Sequence, residues 1–374
     1  MCYKMNGVVL AVVVVFLGVG VVSAAPSYTM TDLGTLGGSQ STATGINAIG
    51  QVVGWSDTGS GKAHAFLYSD KGPMQDLGTL LGGNSFALGI NDSGKIVGYV
   101  NDATESYSRA FLYSGNGPMQ NLGTLGGNSS SAWGINASGQ VVGNSWTAPP
   151  LYTHAFLYSG NGPMQDLGTL DGLHSQAYGI NDSGQVVGSS QLSGHNHAFL
   201  YNGSGPMQDL GTLSGTESTA TGINASGRVV GWADTSSGPA HSNGPVHAFL
   251  YSGNGPMQDL GTLLGGTSSH ATGINDSGKI VGYASTSDNP HAFLYSGGSM
   301  TDLNSLVDLD SGWTLEQANA INNIGQIVGM GRNAAGQGFA FLLTPIPEPS
   351  TLALLGAGAV GLLLFVWRRR RRAA

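Results

Sequence analysis

Short apolar runs alternate with glycine- and asparagine-rich breaks throughout the middle of the chain, from residue 28 to residue 343. Each run is too short for a helix and is bounded by turn residues, the pattern of β-strands. Four segments recur in a fixed order. Asp-Leu-Gly-Thr-Leu or a variant begins at Asp32, Asp76, Asn121, Asp166, Asp209, Asp259 and Asp302, at spacings of 44, 45, 45, 43, 50 and 43. Gly-Ile-Asn follows at Gly45, Gly89, Gly134, Gly179, Gly222 and Gly273, with Ala320-Ile321-Asn322 as the seventh copy. A Gly-x-(Val/Ile)-Val-Gly unit then begins at Gly50, Gly94, Gly139, Gly184, Gly227, Gly278 and Gly325. Ala-Phe-Leu-Tyr comes last, from Ala65 through to the variant Ala340-Phe341-Leu342-Leu343.

Between the second and third segments lie turns such as Asn91-Asp92-Ser93-Gly94. This is hairpin chemistry: Asx side chains bond the local backbone and Gly supplies a positive φ. Helix is disfavoured because an interior Gly costs about 1 kcal/mol and no stretch of the body escapes Gly for long. Four strands in about 45 residues is the size of a propeller blade. The frame predicts closure. The body opens at Tyr28 in the last strand of a cycle and ends at Leu343 in the third. The N-terminal strand therefore completes the blade begun at Ala320, which removes the open edge that a linear stack would leave. Ala at positions 43, 87, 132, 177, 220, 271 and 318 precedes each Gly-Ile-Asn or Ala-Ile-Asn copy, and small residues suit the strand nearest a crowded axis. The expected fold is all-β: a seven-bladed β-propeller over residues 28–343, with a β-solenoid as the alternative.

The ends differ from the body. Lys4, the apolar stretch Val8–Val22 and then Val22-Ser23-Ala24 have the three parts of a secretory signal over residues 1–24, cleaved between Ala24 and Ala25. Ser350–Trp367 carries no charge over 18 residues, enough to cross a bilayer as a helix (about 27 Å at about 1.5 Å per residue). Arg368, Arg369, Arg370, Arg371 and Arg372 follow, within a basic tail at 368–374 that stays cytoplasmic by the positive-inside rule. The Pro-rich linker 344–349 precedes the span. Its Pro347, Glu348 and Pro349, followed by one apolar helix and a terminal Arg cluster, closely resemble the PEP-CTERM sorting domain of Gram-negative envelope proteins. The resemblance implies export across the inner membrane and transient anchoring through the C-terminal helix. It further implies cleavage near Pro347-Glu348-Pro349 by a membrane transpeptidase-like exosortase, then handover to the cell surface or exopolysaccharide matrix. The chain would be the substrate of that reaction and not its catalyst.

Charge sharpens the picture. The chain has 13 basic and 21 acidic residues, a net charge of −8. Setting aside Lys4 and the five terminal arginines leaves 7 basic against 21 acidic residues, a net −14. Such a body excludes nucleic acid as a partner, because phosphates demand a basic face. The only cysteine is Cys2, inside the leader, so the mature chain is expected to have no disulfide and no cysteine metal site.

His-Ala-Phe-Leu-Tyr at His64, His154, His197, His247 and His291 resembles the HAF repeat of extracellular bacterial proteins, with departures at Arg109 and Phe339. That family is defined by its repeat, so the resemblance implies location and no chemistry. The histidine column does not read as a metal site, because equivalent positions lie on different blades while an ion needs several converging ligands. A hydrogen-bonding role at a strand start is expected. The Asp column, with its Asn121 exception, reads as a turn or backbone contact. The Asn-Asp-Ser-Gly turns lack the dense carboxylates of a calcium loop. No cofactor, metal or catalytic residue is expected.

No nucleophile elbow, His-Glu-x-x-His or phosphate loop occurs. A carboxylate pair for glycoside hydrolysis stays open, since spacing in sequence does not give spacing in space. The most divergent repeat holds Asp308, Asp310 and Glu316, and an extracellular glycan hydrolase or lyase centred there is the rival reading. The preferred reading is a structural or binding module for polysaccharide or a surface protein; a spacer that binds nothing is the third. The loop between the second and third strands varies most, and loops on a rigid scaffold carry function. Trp55, Tyr99, Trp146, Trp232 and Tyr283 stand at or near its start, placed to stack on sugar rings or to cap blade-to-blade packing.

Overall fold

The computed structural model describes residues 28–69, 72–236, 245–308 and 312–346. They form seven four-stranded antiparallel sheets arranged as the blades of a β-propeller. Blade 1 contains Gly37–Ile46, Val52–Thr58, Ala63–Tyr68 and Gln75–Asp76, paired in sequence order from the axis outward. Blades 2 to 6 repeat this plan. Blade 7 takes its first three strands from Thr314–Ile321, Ile327–Arg332 and Gly338–Pro345, and its outer strand from Tyr28–Asp32. The N-terminal strand pairs from Tyr28↔Pro345 to Asp32↔Phe341, so the closure that the frame predicted is present. The third strand of blade 7 runs two residues past the sequence boundary at 343, because Thr344 and Pro345 pair with Thr29 and Tyr28.

Small inner-strand residues allow the ring to close. A Cβ placed on Gly45 would come 3.6 Å from the Cα of Gly89, and the last such approach, Gly273 to Ala320, would be 3.4 Å. These are ordinary contact distances, so small residues here let neighbouring inner strands pack closely around the axis. Between blades, Phe66, Phe111, Phe156, Phe199, Phe249, Phe293 and Phe341 are fully buried. Each such side chain contributes about 1.5–3 kcal/mol of hydrophobic stabilisation. The phenylalanine lies against the glycine of Val-Val-Gly: a Cβ on Gly54 would sit 2.9 Å from Phe66 and 1.9 Å from the Thr42 carbonyl oxygen.

The outer strands are shorter than the sequence pattern suggests. In blades 1 to 5 they reduce to two residues, for example Gln75–Asp76 and Gln165–Asp166. The reason is local: Asp76 Oδ1 accepts from the Gly78 amide at 2.7 Å, and Gly78 has φ of 69°. The Asp-Leu-Gly-Thr-Leu segment is thus a strand end followed by an Asx turn that leads into the next blade.

Among the described residues no helix is long and apolar enough to cross a membrane. The predicted span 350–367 lies outside them, as do the leader 1–24 with Ala24 and Ala25, the motif Pro347, Glu348 and Pro349, and the cluster Arg368 to Arg372.

Candidate functional site at the channel mouth

The seven inner strands enclose a channel. They begin on what we term the upper face, with the loops between second and third strands, and end on the lower face at the Asn-x-x-Gly turns.

The lower end is held by a ring of asparagines. Nδ2 of Asn47 donates to the Asn91 carbonyl at 3.2 Å, and the pattern repeats through Asn91, Asn136, Asn181, Asn224 and Asn275. Asn322 closes it on the Asn47 carbonyl at 3.1 Å. Each ring asparagine is buried. All seven also bond their own turn; Asn91 Oδ1, for instance, accepts from the Lys95 amide at 3.0 Å. The local bond follows from hairpin chemistry in the sequence; the bond to the next blade does not, because it depends on how blades pack.

The upper mouth opens into a cavity of about 520 Å³. Its lining includes, from every blade, the residue between the inner-strand Ala and the following Gly or Ala: Thr44, Leu88, Trp133, Tyr178, Thr221, Thr272 and Asn319. Four of these form a polar arc. Thr44, Thr221 and Thr272 hydroxyls donate to the next blade's carbonyls at Ala87, Ala271 and Ala318 (2.8, 2.8 and 2.7 Å), and Asn319 Nδ2 donates to Ala43 at 2.7 Å. The other three, on adjacent blades, form an apolar arc. Trp133 and Tyr178 meet edge-on at 5.4 Å and 73°, making a corner of two ring faces. The Trp133 indole N–H donates to Asn144 at 2.7 Å, and the Tyr178 hydroxyl donates to Gln176 at 2.9 Å. Burial pushes the Tyr178 phenol above its ordinary range, so it stays neutral. Among the described residues no charged side chain lines this cavity. The lower mouth differs: Asp92, Asp182 and Asp276 face it, each accepting from a neighbouring turn, as Asp92 does from the Ala48 amide at 2.9 Å.

The aromatic residues picked out by sequence occupy three settings. Trp55 meets Phe86 of the next blade edge-on at 5.8 Å, and Phe86 stacks on Tyr99 at 4.9 Å. Trp232 contacts His270 at 5.6 Å, and His270 stacks on Tyr283 at 4.7 Å and 8°. Four of the five thus sit in two blade-to-blade stacks, where burial raises the Tyr99 and Tyr283 phenols and lowers the His270 imidazole. Trp232 also lines the upper cavity. Trp146 stands apart, 39% exposed and paired with Thr153, a ladder position filled in blade 1 by Asp57. Sequence reading missed Trp133 and Tyr178. The available signal was the inner-strand position itself, where Thr or Asn gives way to Leu88, Trp133 and Tyr178 in three consecutive blades.

The histidine column bonds the Asp column. Nδ1 of His64, His154, His197, His247 and His291 lies 2.9, 2.8, 3.0, 2.9 and 2.7 Å from Asp76, Asp166, Asp209, Asp259 and Asp302. Each pair ties the third strand to the outer strand of its own blade. Where His is replaced, the pairing goes too: Arg109 turns to the Asn128 carbonyl, and Asn121 keeps only the Gly123 amide. Among the described residues no three His, Cys, Asp or Glu side chains converge to hold an ion. In the divergent blade, Glu316 is buried and bonded by Arg332 Nε at 2.7 Å. Asp308 is exposed, and Asp310 falls outside the described residues.

No curated protein matches the chain. The β-propeller domain of the Trilobed protease from Pyrococcus furiosus, described as having an open velcro topology, superposes with a TM-score of 0.51 at 8% identity, covering 87% of this chain and 99% of that one. That likeness supports the fold; here, by contrast, Tyr28–Asp32 closes the ring. TolB from Acinetobacter baumannii (TM-score 0.45, 14% identity, 79% of this chain and 80% of that one) is also similar. So is the Aleuria aurantia lectin in complex with Fucalpha1-6GlcNAc (TM-score 0.41, 11% identity, 74% and 94%). Residues 173–337 match a family described as a protein of unknown function, DUF3466. Residues 345–371 match the PEP-CTERM protein-sorting motif, and the chain is accordingly an exosortase-targeted, exported protein built on a seven-bladed propeller.

Proposed function

We propose that this protein is a non-catalytic binding module of the cell surface or exopolysaccharide matrix, and that it takes a neutral carbohydrate at the upper channel mouth. The observation that carries this reading is the Trp133–Tyr178 corner facing the Thr44, Thr221, Thr272 and Asn319 arc across a cavity that no charged side chain lines among the described residues. A sugar has apolar C–H faces and a rim of hydroxyls, so it pairs with ring faces on one side and with hydroxyl and amide groups on the other. The cavity is of a size to take one or two sugar rings, which fits the end of a glycan chain entering along the axis. The engagement of Glu316 by Arg332 and a lining without carboxylates among the described residues favour binding over glycoside hydrolysis, which needs two free carboxyl groups beside the scissile bond.

The apolar stretch 350–367 and the arginines after it anchor the exported precursor until exosortase cleaves near Pro347-Glu348-Pro349. Two measurements test these readings. Glycan-array screening followed by titration calorimetry is expected to give one site per chain for neutral glycans, with no new reducing ends; turnover of the bound glycan overturns the non-catalytic reading. The C-terminus of the surface-released chain is expected within a few residues of Glu348. A chain released with Arg368 to Arg372 intact overturns the processing reading.

A further inference from the structure

The Asn-x-x-Gly turns of the lower face differ in one position. Five blades carry serine there: Ser93, Ser138, Ser183, Ser226 and Ser277. In four of them the hydroxyl donates to the ring asparagine at 2.8 Å. The two remaining turns carry Ile49 and Ile324, which forgo that bond and stand 67% and 66% exposed. Local stability does not explain them, since each exposes a large apolar side chain where its sisters have a bonded hydroxyl.

Their placement does. Ile49 and Ile324 belong to blades 1 and 7, neighbours across the ring closure, where Asn322 bonds the Asn47 carbonyl at 3.1 Å. The turn at Gly325 lies against Pro345, with Lys279 Nζ beside it. The described chain leaves the fold here at Ile346, itself 46% exposed, and Tyr28 enters at the same corner opposite Pro345. The other large exposed apolar side chains among the described residues lie toward the upper face, Tyr107, Leu151, Leu173 and Leu264 in its loops and Trp146 near the upper end of the strand Val141–Thr147.

We infer that the lower face at the seam of blades 7 and 1 is a membrane-contact surface. On it Ile49, Ile324 and Ile346 enter the headgroup boundary, and Lys279 meets lipid phosphate. The inference rests on the anchored-precursor reading above. Only Pro347, Glu348 and Pro349 separate Ile346 from the apolar stretch that begins at Ser350. Four fully extended steps span at most about 14 Å. A span starting at Ser350 therefore holds this corner against the bilayer, and interfacial binding grows with apolar area plus attraction of cations to anionic lipid. The channel mouth on the opposite face is left pointing outward.

The test uses the full chain carrying Cys2→Ser, with a fluorophore at Ser277→Cys beside the patch or at Leu264→Cys on the upper face. The chain is placed in phosphatidylethanolamine–phosphatidylglycerol vesicles bearing a headgroup quencher. Flotation with the vesicles checks anchoring first; a chain that does not float removes that reading and this one with it. In floating samples the label at 277 is expected to be quenched and the label at 264 not. Introducing Ile49→Ser and Ile324→Ser, the residue the other turns already carry, is expected to cut quenching at 277 at least threefold. Equal quenching with and without the isoleucines would mean that the tether alone sets orientation, and overturns the contact surface. An unquenched label at 277 in the floating chain also overturns it. Quenching or protection seen only with several chains per vesicle would make a second copy the occupant, and equally overturns it.

Discussion

Asn322 donates from Nδ2 to the carbonyl oxygen of Asn47 at 3.1 Å, joining two turns that lie 275 positions apart in sequence. This bond completes the asparagine ring, so the last blade is held to the first by the same contact that joins every other pair. Asn322 also bonds the Gln326 amide and side chain within its own turn. Replacing it removes partners from three groups at once.

Asn322→Ala is therefore expected to cost about 1–3 kcal/mol, the penalty for leaving a buried polar group unpaired. Ile324→Ser, two residues away but exposed, is expected to stay within about 0.5 kcal/mol of the parent. Urea denaturation of the two variants side by side measures the difference. Equal stability would mean that the ring closure contributes nothing to the fold.

Gly54 makes a sharper steric prediction. A Cβ there would lie 1.9 Å from the Thr42 carbonyl oxygen and 2.9 Å from Phe66. Neither can yield: Thr42 is inner-strand backbone, and Phe66 is fully buried between blades. Gly54→Ala is expected to destabilise by about 3 kcal/mol or more, at the upper end for overpacking. Gly72→Ala, at a turn with open space around it, is expected to be neutral. Thermal melts of both variants check the pair.

Much of this architecture is legible in the sequence, for identifiable reasons. The out-of-frame start at Tyr28 predicts the closing strand because strand order is a property of the repeat itself. The alanine and glycine of the inner strand predict the axis because steric crowding acts on side-chain size. The asparagine ring is not legible, because Asn91 Oδ1 bonds its own turn while Nδ2 reaches across a blade boundary. The outer strands are overread because Asp76 caps a turn where the pattern suggests continued pairing. For the site, Trp55, Tyr99 and Tyr283 attract notice beside variable loops, yet they form or flank blade-to-blade stacks. Trp133 and Tyr178 sit inside a regular strand, where only comparison between repeats sets them apart.

The stack around His270 predicts a pH dependence. Burial between Trp232 and Tyr283 holds the folded imidazole below its ordinary value of 6.5. As pH falls through 6.5, the unfolded chain takes up this proton before the folded one does. The stability associated with neutral His270 is therefore present above about 6.5 and declines as pH drops toward the lowered folded value. Blade 2 supplies the control, since Phe86 occupies the same position between Trp55 and Tyr99. His270→Phe is expected to match the parent near neutral pH and to lose less stability on acidification. Urea midpoints at about pH 7.5 and about pH 5 give the comparison. Identical pH slopes in the two proteins would remove His270 as the cause.

The binding reading makes its own prediction, and it separates recognition from packing. Trp133 presents a ring to the channel mouth and is half-buried, with its indole N–H held by Asn144. Trp55 lies outside the cavity lining, edge-on to Phe86 in a blade-to-blade stack. Trp133→Ala is expected to weaken glycan binding at least tenfold, about 1.4 kcal/mol, while changing stability modestly. Trp55→Ala is expected to do the reverse, because an edge-to-face aromatic contact contributes about 0.5–1.5 kcal/mol beyond its buried area. Thr221→Val, which keeps the shape and removes one hydroxyl from the polar arc, also breaks the bond to the Ala271 carbonyl. It is expected to weaken both binding and folding. Calorimetric titration and urea denaturation of all three variants resolve the pattern. If Trp55→Ala, and not Trp133→Ala, abolishes binding, the ligand sits over the second-to-third-strand loops and the channel mouth is a scaffold feature.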